Sequence, residues 1–89
     1  MGSMENSPLE FPCDYPLKVM GRHTPEFREK VLAVLAERTG PVHDERVSER
    51  ASRAGNYVAL TCTVRAESRA HLDEMYRALH ATGLVLYAL

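Results

Sequence analysis

The chain has 89 residues and a formal net charge of −1, with 45% hydrophobic and 26% charged residues. This is the composition of one small globular domain. The balanced charge excludes the broad positive field typical of nucleic-acid binders, and no apolar run reaches the roughly 18 residues that a membrane-spanning helix needs. We therefore expect a cytoplasmic protein that has neither a nucleic acid nor a membrane as its partner.

The amino-terminal stretch MGSMENSP is small, polar and without periodicity. We expect residues 1–8 to be a disordered lead or an expression remnant, and residues 9–89 to form a single domain. The two cysteines, Cys13 and Cys62, have no CxxC spacing, which indicates reduced thiols. A disulfide would require the segment around Cys13 to fold over the strand that carries Cys62.

A strand and a helix are predicted first along the chain. Apolar and polar residues alternate over Tyr15–Met20, which predicts a strand that Gly21 ends. Thr24-Pro25-Glu26 has the residue types of a helix start, and Gly40-Pro41 those of a helix end. One apolar stripe follows this helix at helical spacing: Phe27, Val31, Val34 and Leu35.

Two strands and a turn are predicted next. Val42–Arg53 is polar and charged, which favours an edge strand whose charges oppose pairing with other chains. Ala54-Gly55-Asn56 is typical of a turn. Tyr57–Ala66 alternates clearly and is rich in β-branched residues, so it is predicted to be a strand. Its core face is expected to hold Val58, Leu60, Cys62 and Val64.

A second helix and a last strand complete the pattern. Ser68 is the expected cap of a helix that ends at Thr82-Gly83, with an apolar stripe of Leu72, Met75, Tyr76 and Leu79. Leu84–Leu89 is apolar on both faces of a predicted strand. Strict alternation gives one face Val85, Tyr87 and Leu89, and we predict that these three residues form an interface.

The element order predicts an α+β, ferredoxin-like βαββαβ fold. Right-handed crossovers then place two helices on one face of a four-stranded antiparallel sheet with strand order 4-1-3-2. The other face of the sheet stays open. Its cover would be either the apolar segment Leu9–Pro12 or another subunit, and the sequence leaves both open.

Two activities known on this fold match the residues poorly. An RNA-recognition module needs aromatic residues on the open face of the third strand, where this chain offers one tyrosine, Tyr57. Acylphosphatase uses a phosphate-binding loop with an arginine, and an asparagine on a later strand. Arg22 has the wrong spacing from the loop glycine, and Asn56 lies in a turn. An acylphosphatase-like enzyme therefore remains a minor alternative.

Metal and nucleophile chemistry also lack a pattern. The histidines His23, His43, His71 and His80 form no HxH or HxxxH pair, so we expect solvated histidines, no metal site and no cofactor. Cys62 lies on the predicted core face without an identifiable histidine, which favours packing over catalysis. We predict no catalytic residues.

The loop after the first strand is the candidate ligand site. It joins a central strand to a helix amino terminus, where backbone N–H groups and the helix dipole favour a small anion or carboxylate. We predict that the ligand-binding residues are Gly21, Arg22, His23 and Thr24.

Several blocks of the sequence resemble one family. Leu9-Glu10-Phe11-Pro12, Tyr15 with Lys18-Val19-Met20-Gly21, Arg50–Tyr57 and the closing Val85-Leu86 are similar to the YbeD-like family of uncharacterised bacterial proteins. The resemblance covers about residues 9–89. It implies a fold of the kind seen in ACT regulatory domains, which bind small effectors, often at a dimer interface. It also implies a link to lipoate metabolism.

One departure concerns the first loop, which reads MGRHTPEF and lacks the acidic residue and second glycine usual in ACT domains. The resemblance as a whole implies a non-catalytic regulatory or small-molecule-binding domain, with a small-molecule effector or a protein as its partner and a homodimer as one arrangement. The main alternative is a protein–protein adaptor that pairs through its sheet.

Overall fold

The computed structural model describes residues 9–89, so the predicted lead lies outside the described residues. Six main elements follow in chain order: β1 (Cys13–Arg22), α1 (Pro25–Thr39), β2 (Val47–Ala51), β3 (Tyr57–Ala66), α2 (Arg69–Ala81) and β4 (Val85–Ala88). The strands form one antiparallel sheet in the order β2-β3-β1-β4, which confirms the predicted βαββαβ fold and its 4-1-3-2 order. No helix within the described range is long and apolar enough to cross a membrane.

The core lies between one face of the sheet and the two helices. Its largest fully buried side chains come from β1, β3, α1 and α2, as predicted: Phe27, Leu17, Leu35, Leu60, Leu72, Met75, Leu79, Val19, Val31, Val64 and Cys62. Val34 and Tyr76, which share the predicted helical stripes, are half-buried at the edge of this core. The apolar spacing of these four elements therefore identified their buried faces correctly.

Capping residues set the helix boundaries where the sequence predicted them. The Thr24 hydroxyl accepts a hydrogen bond from the Phe27 N–H at 3.2 Å, and the Ser68 hydroxyl accepts one from the His71 N–H at 3.1 Å. Gly40 ends α1 with a φ of 85°, a conformation that costs other L-residues free energy.

The first strand is longer than predicted, because β1 includes Gly21 and extends over Cys13–Arg22. Lys18 exchanges backbone hydrogen bonds of 3.1 and 2.8 Å with Leu89, so the N–H groups of even-numbered β1 residues point towards β4. Pro16 lies two residues earlier, beyond the reach of β4. Its missing N–H therefore leaves no acceptor on β4 unpaired, and the proline is tolerated inside the strand.

The second strand is shorter than predicted. The polar region Val42–Arg53 contains a 3₁₀ turn over Asp44–Arg46, and only Val47–Ala51 pairs with β3. The strand lies at an edge of the sheet, as its charged composition indicated.

The predicted face of the last strand is wrong for Val85. Val85 packs against the core, whereas Tyr87 lies opposite Met20 on the open face, and Leu89 follows on that same face. A register shift in the pairing of β1 with β4 leaves Leu86 as an additional residue in β4. This bulge interrupts the strict alternation on which the prediction rested.

The amino-terminal segment does not cover the open face through its aromatic residue, because Phe11 packs against the core on the helix side.

The two cysteines lie far apart in the sheet. Cys13 pairs with Ala66 and Cys62 pairs with Leu17, four positions further along β1. At about 3.3 Å per residue, the cysteines are separated by about 13 Å, too far for a disulfide, and both are free thiols.

Candidate functional site

Gly21 allows close packing at the junction of β1 and α1. A Cβ atom at this position would overlap the ring of Phe27 and lie 2.7 Å from the carbonyl oxygen of Leu84. Because α1 and the start of β4 both approach the backbone here, only glycine fits without displacement. The packing of the fold thus accounts for this residue of the predicted ligand loop.

The polar groups at the start of α1 are used within the chain. Thr24 caps the Phe27 N–H, and the Thr24 N–H donates to the carbonyl of Arg22 at 2.9 Å. Glu26 adds a negative charge in the first helical turn, which disfavours a bound anion there. The ligand-binding role of Gly21–Thr24 stays a prediction, and these contacts give it no support.

His23 connects the same loop to the β2–β3 hairpin. Its backbone N–H donates to Asn56 at 2.9 Å, its Nδ1 lies 3.2 Å from the carbonyl oxygen of Gly55, and its Nε2 lies 3.6 Å from Glu49. Glu49 also pairs with Arg28 at 3.0 Å. These side chains are partly exposed, so each contact contributes little to stability, but together they fix the loop relative to the hairpin.

Arg22, unlike its neighbours in the loop, projects from the open face of the sheet. Its guanidinium lies 5.9 Å from the centre of the Tyr57 ring, which is its β3 partner in the register. This distance is within the range of a cation–π interaction. Tyr57 is 38% exposed, so the pair is accessible to solvent.

Positive charge collects on the open face. We call the surface that carries four of these cations the basic sheet face: Lys18, Arg22, Arg50 and Arg53. Strand register places the first three on this face, and Arg53 joins them from the β2–β3 hairpin. Among the described strand residues, Asp14 is the one acidic side chain on this face, and it lies 3.5 Å from both Arg46 and Arg65 at the far end of β1. The basic sheet face is therefore free of nearby carboxylates on its own strands.

The centre of the basic sheet face is apolar. Met20 and Ala59 are register partners, both half-buried, and together with Tyr57 they line a shallow depression beside Arg50 and Arg53. Tyr87 lies opposite Met20 on the β4 side and is 45% exposed. The face thus offers guanidinium groups around an apolar and aromatic floor, which suits an anion that also carries apolar groups.

Acidic residues lie mainly on the other side of the molecule. The register turns Glu49 towards the helices, and most of the remaining described carboxylates lie on the helices or in adjoining turns: Glu26, Glu29, Glu37, Asp44, Asp73 and Glu74. Basic residues accompany them there, but acidic ones are more numerous. The small net charge therefore conceals an uneven distribution.

The start of β4 exposes apolar side chains at the edge of the sheet. Leu84 is 40% exposed and Leu86, the bulge residue, is 58% exposed. Of the predicted interface residues, Tyr87 and Leu89 lie on the open face and Val85 is partly buried against the core. The structure thus brings two of the three together beside the basic sheet face.

The titratable groups of the core are held in their neutral forms. Burial raises the pKa of the Cys62 thiol from 9.0 to about 11, which outweighs the opposing effect of the Arg28 charge. Burial also raises the pKa of the Tyr76 hydroxyl, which donates a hydrogen bond to the hydroxyl of Tyr15 at 3.2 Å. A protonated thiol is a poor nucleophile, so Cys62 has the properties of a packing residue.

His71 has a structural role that the sequence did not predict. Its Nδ1 accepts a hydrogen bond from the Glu67 N–H at 3.0 Å, and its Nε2 lies 2.8 Å from the carbonyl oxygen of Arg38 at the end of α1. This geometry requires the proton on Nε2. The prediction of solvated histidines is therefore wrong for His71, which joins the two helices.

Comparison with known proteins finds one matching family model and several relatives of similar length. A family model described as "Protein of unknown function (DUF493)" matches residues 6–89. A UPF0250 protein of Paraburkholderia phytofirmans is 47% identical over 85 residues, which cover 96% of each chain. A UPF0250 protein of Nitrosomonas europaea is 41% identical over 81 residues, covering 91% of this chain and 93% of the relative.

Two solved structures share the fold. The solution structure of HP0495 from H. pylori has a TM-score of 0.65 with 14% identity and covers 100% of this chain and 98% of its own. The carboxy-terminal domain of MgtC from Mycobacterium tuberculosis has a TM-score of 0.59 with 17% identity, covering 92% and 89%. At these identities the similarity establishes the fold alone.

Proposed function

We propose that this chain, which belongs to the DUF493 family of proteins of unknown function, is a non-catalytic regulatory domain. Its relatives are UPF0250 proteins, and the YbeD-like resemblance is thereby confirmed. The domain acts by binding an anionic ligand on the basic sheet face. This location differs from the predicted loop, of which only Arg22 reaches the face.

The observation that carries the proposal is the arrangement of cations around an apolar floor. Arg50 and Arg53 border the depression that Met20 and Tyr57 line. Guanidinium groups bind carboxylates and phosphates through paired hydrogen bonds, and the apolar floor contributes by removing apolar ligand surface from water. An anion with an apolar portion satisfies both parts of the surface.

The finer form of the proposal follows the family resemblance. A small effector of the ACT type, or a carboxylic acid connected with lipoate metabolism, would place its carboxylate at Arg50 and its apolar portion over Met20. The proposal includes a cytoplasmic location, which the two free cysteines support.

A ¹H–¹⁵N NMR titration with small anions tests this function. The panel contains free glutamate, lipoate and inorganic phosphate, and we expect shifts at Met20, Arg50 and Tyr57. Arg50→Gln should abolish the shifts. The control Arg77→Gln, which removes the same charge from the exposed surface of α2, should leave them unchanged.

Two results would contradict the proposal. Shifts confined to Gly21–Thr24 would place the ligand in the loop after β1 and away from the basic sheet face. Loss of binding in both charge variants would indicate nonspecific attraction to any basic side chain. Either result would remove the role assigned to Arg50.

A further inference from the structure

We propose that the ligand of the basic sheet face is an extended acidic segment of a partner protein, with acidic and apolar side chains alternating along the side of the segment that faces the sheet. This inference rests on the proposed function and names the ligand of the same site. Its first support is the spread of the cations. Lys18 and Arg22 are four residues apart on β1, so their Cα atoms are about 13 Å apart. Arg50 lies two strands from β1, which places its Cα atom about 10 Å from that strand.

These backbone positions spread the cations over an area larger than one small anion. A single carboxylate accepts hydrogen bonds from one or two neighbouring guanidinium groups, so it would leave the remaining cations of the face without a partner. An extended segment presents side chains at intervals of about 7 Å on one side, which matches a row of separated cations. The charge pattern therefore fits a multivalent ligand better than a single effector.

The floor between the cations indicates what the segment carries besides acids. Met20, Ala59 and Tyr87 lie in one row across the three strands, between Lys18 on one side and Arg22 on the other. Apolar side chains of the segment would contact this row, and flanking carboxylates would reach the cations. An entirely acidic segment would leave the row uncovered. Because successive side chains of an extended segment point to opposite sides, the acidic and apolar residues that face the sheet should be two positions apart, as in Glu-Ser-Val-Ser-Glu.

The distribution of charge favours this partner over a second copy of the chain. A symmetric sheet-to-sheet dimer would oppose one basic sheet face to another, which costs free energy through like-charge repulsion. An acidic segment is attracted to this face and less so to the helix side, where acidic residues are more numerous. The same field would orient the segment before contact.

A single-stranded nucleic acid fits less well. Base stacking needs ring faces within reach of successive bases, but Arg22 occupies one face of the Tyr57 ring. Tyr87 lies on the far side of β1, so the two rings are not neighbours. The aromatic residues of the face therefore do not form a continuous stacking surface.

The test compares four probes by isothermal titration calorimetry and NMR: a synthetic peptide of repeated Glu-Ser-Val-Ser, its Lys-Ser-Val-Ser counterpart, an oligouridylate and free glutamate. We expect the peptide that contains Glu to bind most tightly, with shifts at Met20, Tyr57 and Tyr87. The double variant Lys18→Glu with Arg50→Glu should weaken binding at least about tenfold. The helix-side double variant Lys30→Glu with Arg77→Glu should change it little. Binding should also weaken as salt rises, because these charges are exposed.

Each other outcome overturns the inference in a distinguishable way. If free glutamate shifts the same amides as strongly as the peptide, the ligand is a small effector and the proposed function stands without the inference. If the oligouridylate binds more tightly than the peptide, the partner is a nucleic acid. If no probe shifts the basic sheet face while both double variants keep the native spectrum, the proposed function fails as well.

Discussion

Replacing Gly21 with alanine distinguishes packing from ligand binding at the β1–α1 junction. The new methyl group would overlap the Phe27 ring and lie 2.7 Å from the backbone oxygen of Leu84. A side-chain rotation can relieve the first contact, but the second requires backbone movement. An added methyl group in a tightly packed site typically costs about 1–3 kcal/mol. We expect the free energy of unfolding to fall by about 2 kcal/mol and the Tm by about 8–16 °C.

Urea denaturation of Gly21→Ala, Phe27→Leu and the double variant measures this effect. Because a smaller side chain at position 27 leaves room for the methyl group, the double variant should lose less stability than the two single variants added together, by about 0.5–1 kcal/mol. A Gly21→Ala protein within about 0.5 kcal/mol of the parent would refute the packing explanation. Additive losses would show that Phe27 is not the opposing group.

The remaining predictions concern the core, the helix junction and pH. Leu60→Ala should lower the free energy of unfolding by about 2–5 kcal/mol and Thr61→Ala by less than about 1 kcal/mol, because Leu60 is fully buried and Thr61 lies on the open face. Equal Tm shifts for the two variants would contradict the assigned strand face. His71→Ala should cost about 1–2 kcal/mol through two lost hydrogen bonds, whereas the exposed His80→Ala should stay within about 0.5 kcal/mol in the same urea assay. The folded pKa of Cys62 is raised, so its unfolded thiol ionises first and stability should fall between pH 9 and about 11. Urea midpoints across that range should fall less steeply in Cys62→Val, and an identical fall in both proteins would count against the buried thiol.

The elements that the sequence predicted well are determined by residues close to one another in the sequence. Thr24 and Ser68 cap helices through hydrogen bonds to residues three positions away, and Gly40 ends α1 through its own backbone conformation. The alternation in Tyr57–Ala66 needs no distant partner to show which side is buried. Such features can be recognised without knowing the pairing of strands.

The last strand shows why strict alternation can fail. Every residue of Leu84–Leu89 is apolar, so the sequence contains no polar position that would reveal a change of phase. The bulge at Leu86 depends on where β1 pairs with β4, and on the close approach of the Leu84 backbone to Gly21. These are contacts between distant parts of the chain, and local pattern does not report them.

The candidate site depends on distant contacts in the same way. The loop after β1 has the residue types of an anion site, but His23 is engaged by Gly55 and Asn56 of a hairpin far along the sequence. The alternation of β1 places Lys18 and Arg22 on one face, a signal that was present in the sequence. That Arg50 joins them follows only from the pairing of β2 with β3.

The uneven distribution of charge also favours some candidates over others as the cover of the open face of the sheet. The segment Leu9–Pro12 directs Phe11 to the helix-side core, so it does not place its aromatic ring over the sheet. A second copy placed face to face would bring Arg22 and Arg50 of each chain together, and like charges oppose this arrangement. A copy joined along the apolar edge of β4 would leave the basic sheet face exposed. We expect the cover that satisfies both the cations and the Met20 row to be a partner that carries acidic and apolar groups together, because only such a partner gains from contact with both parts of the surface.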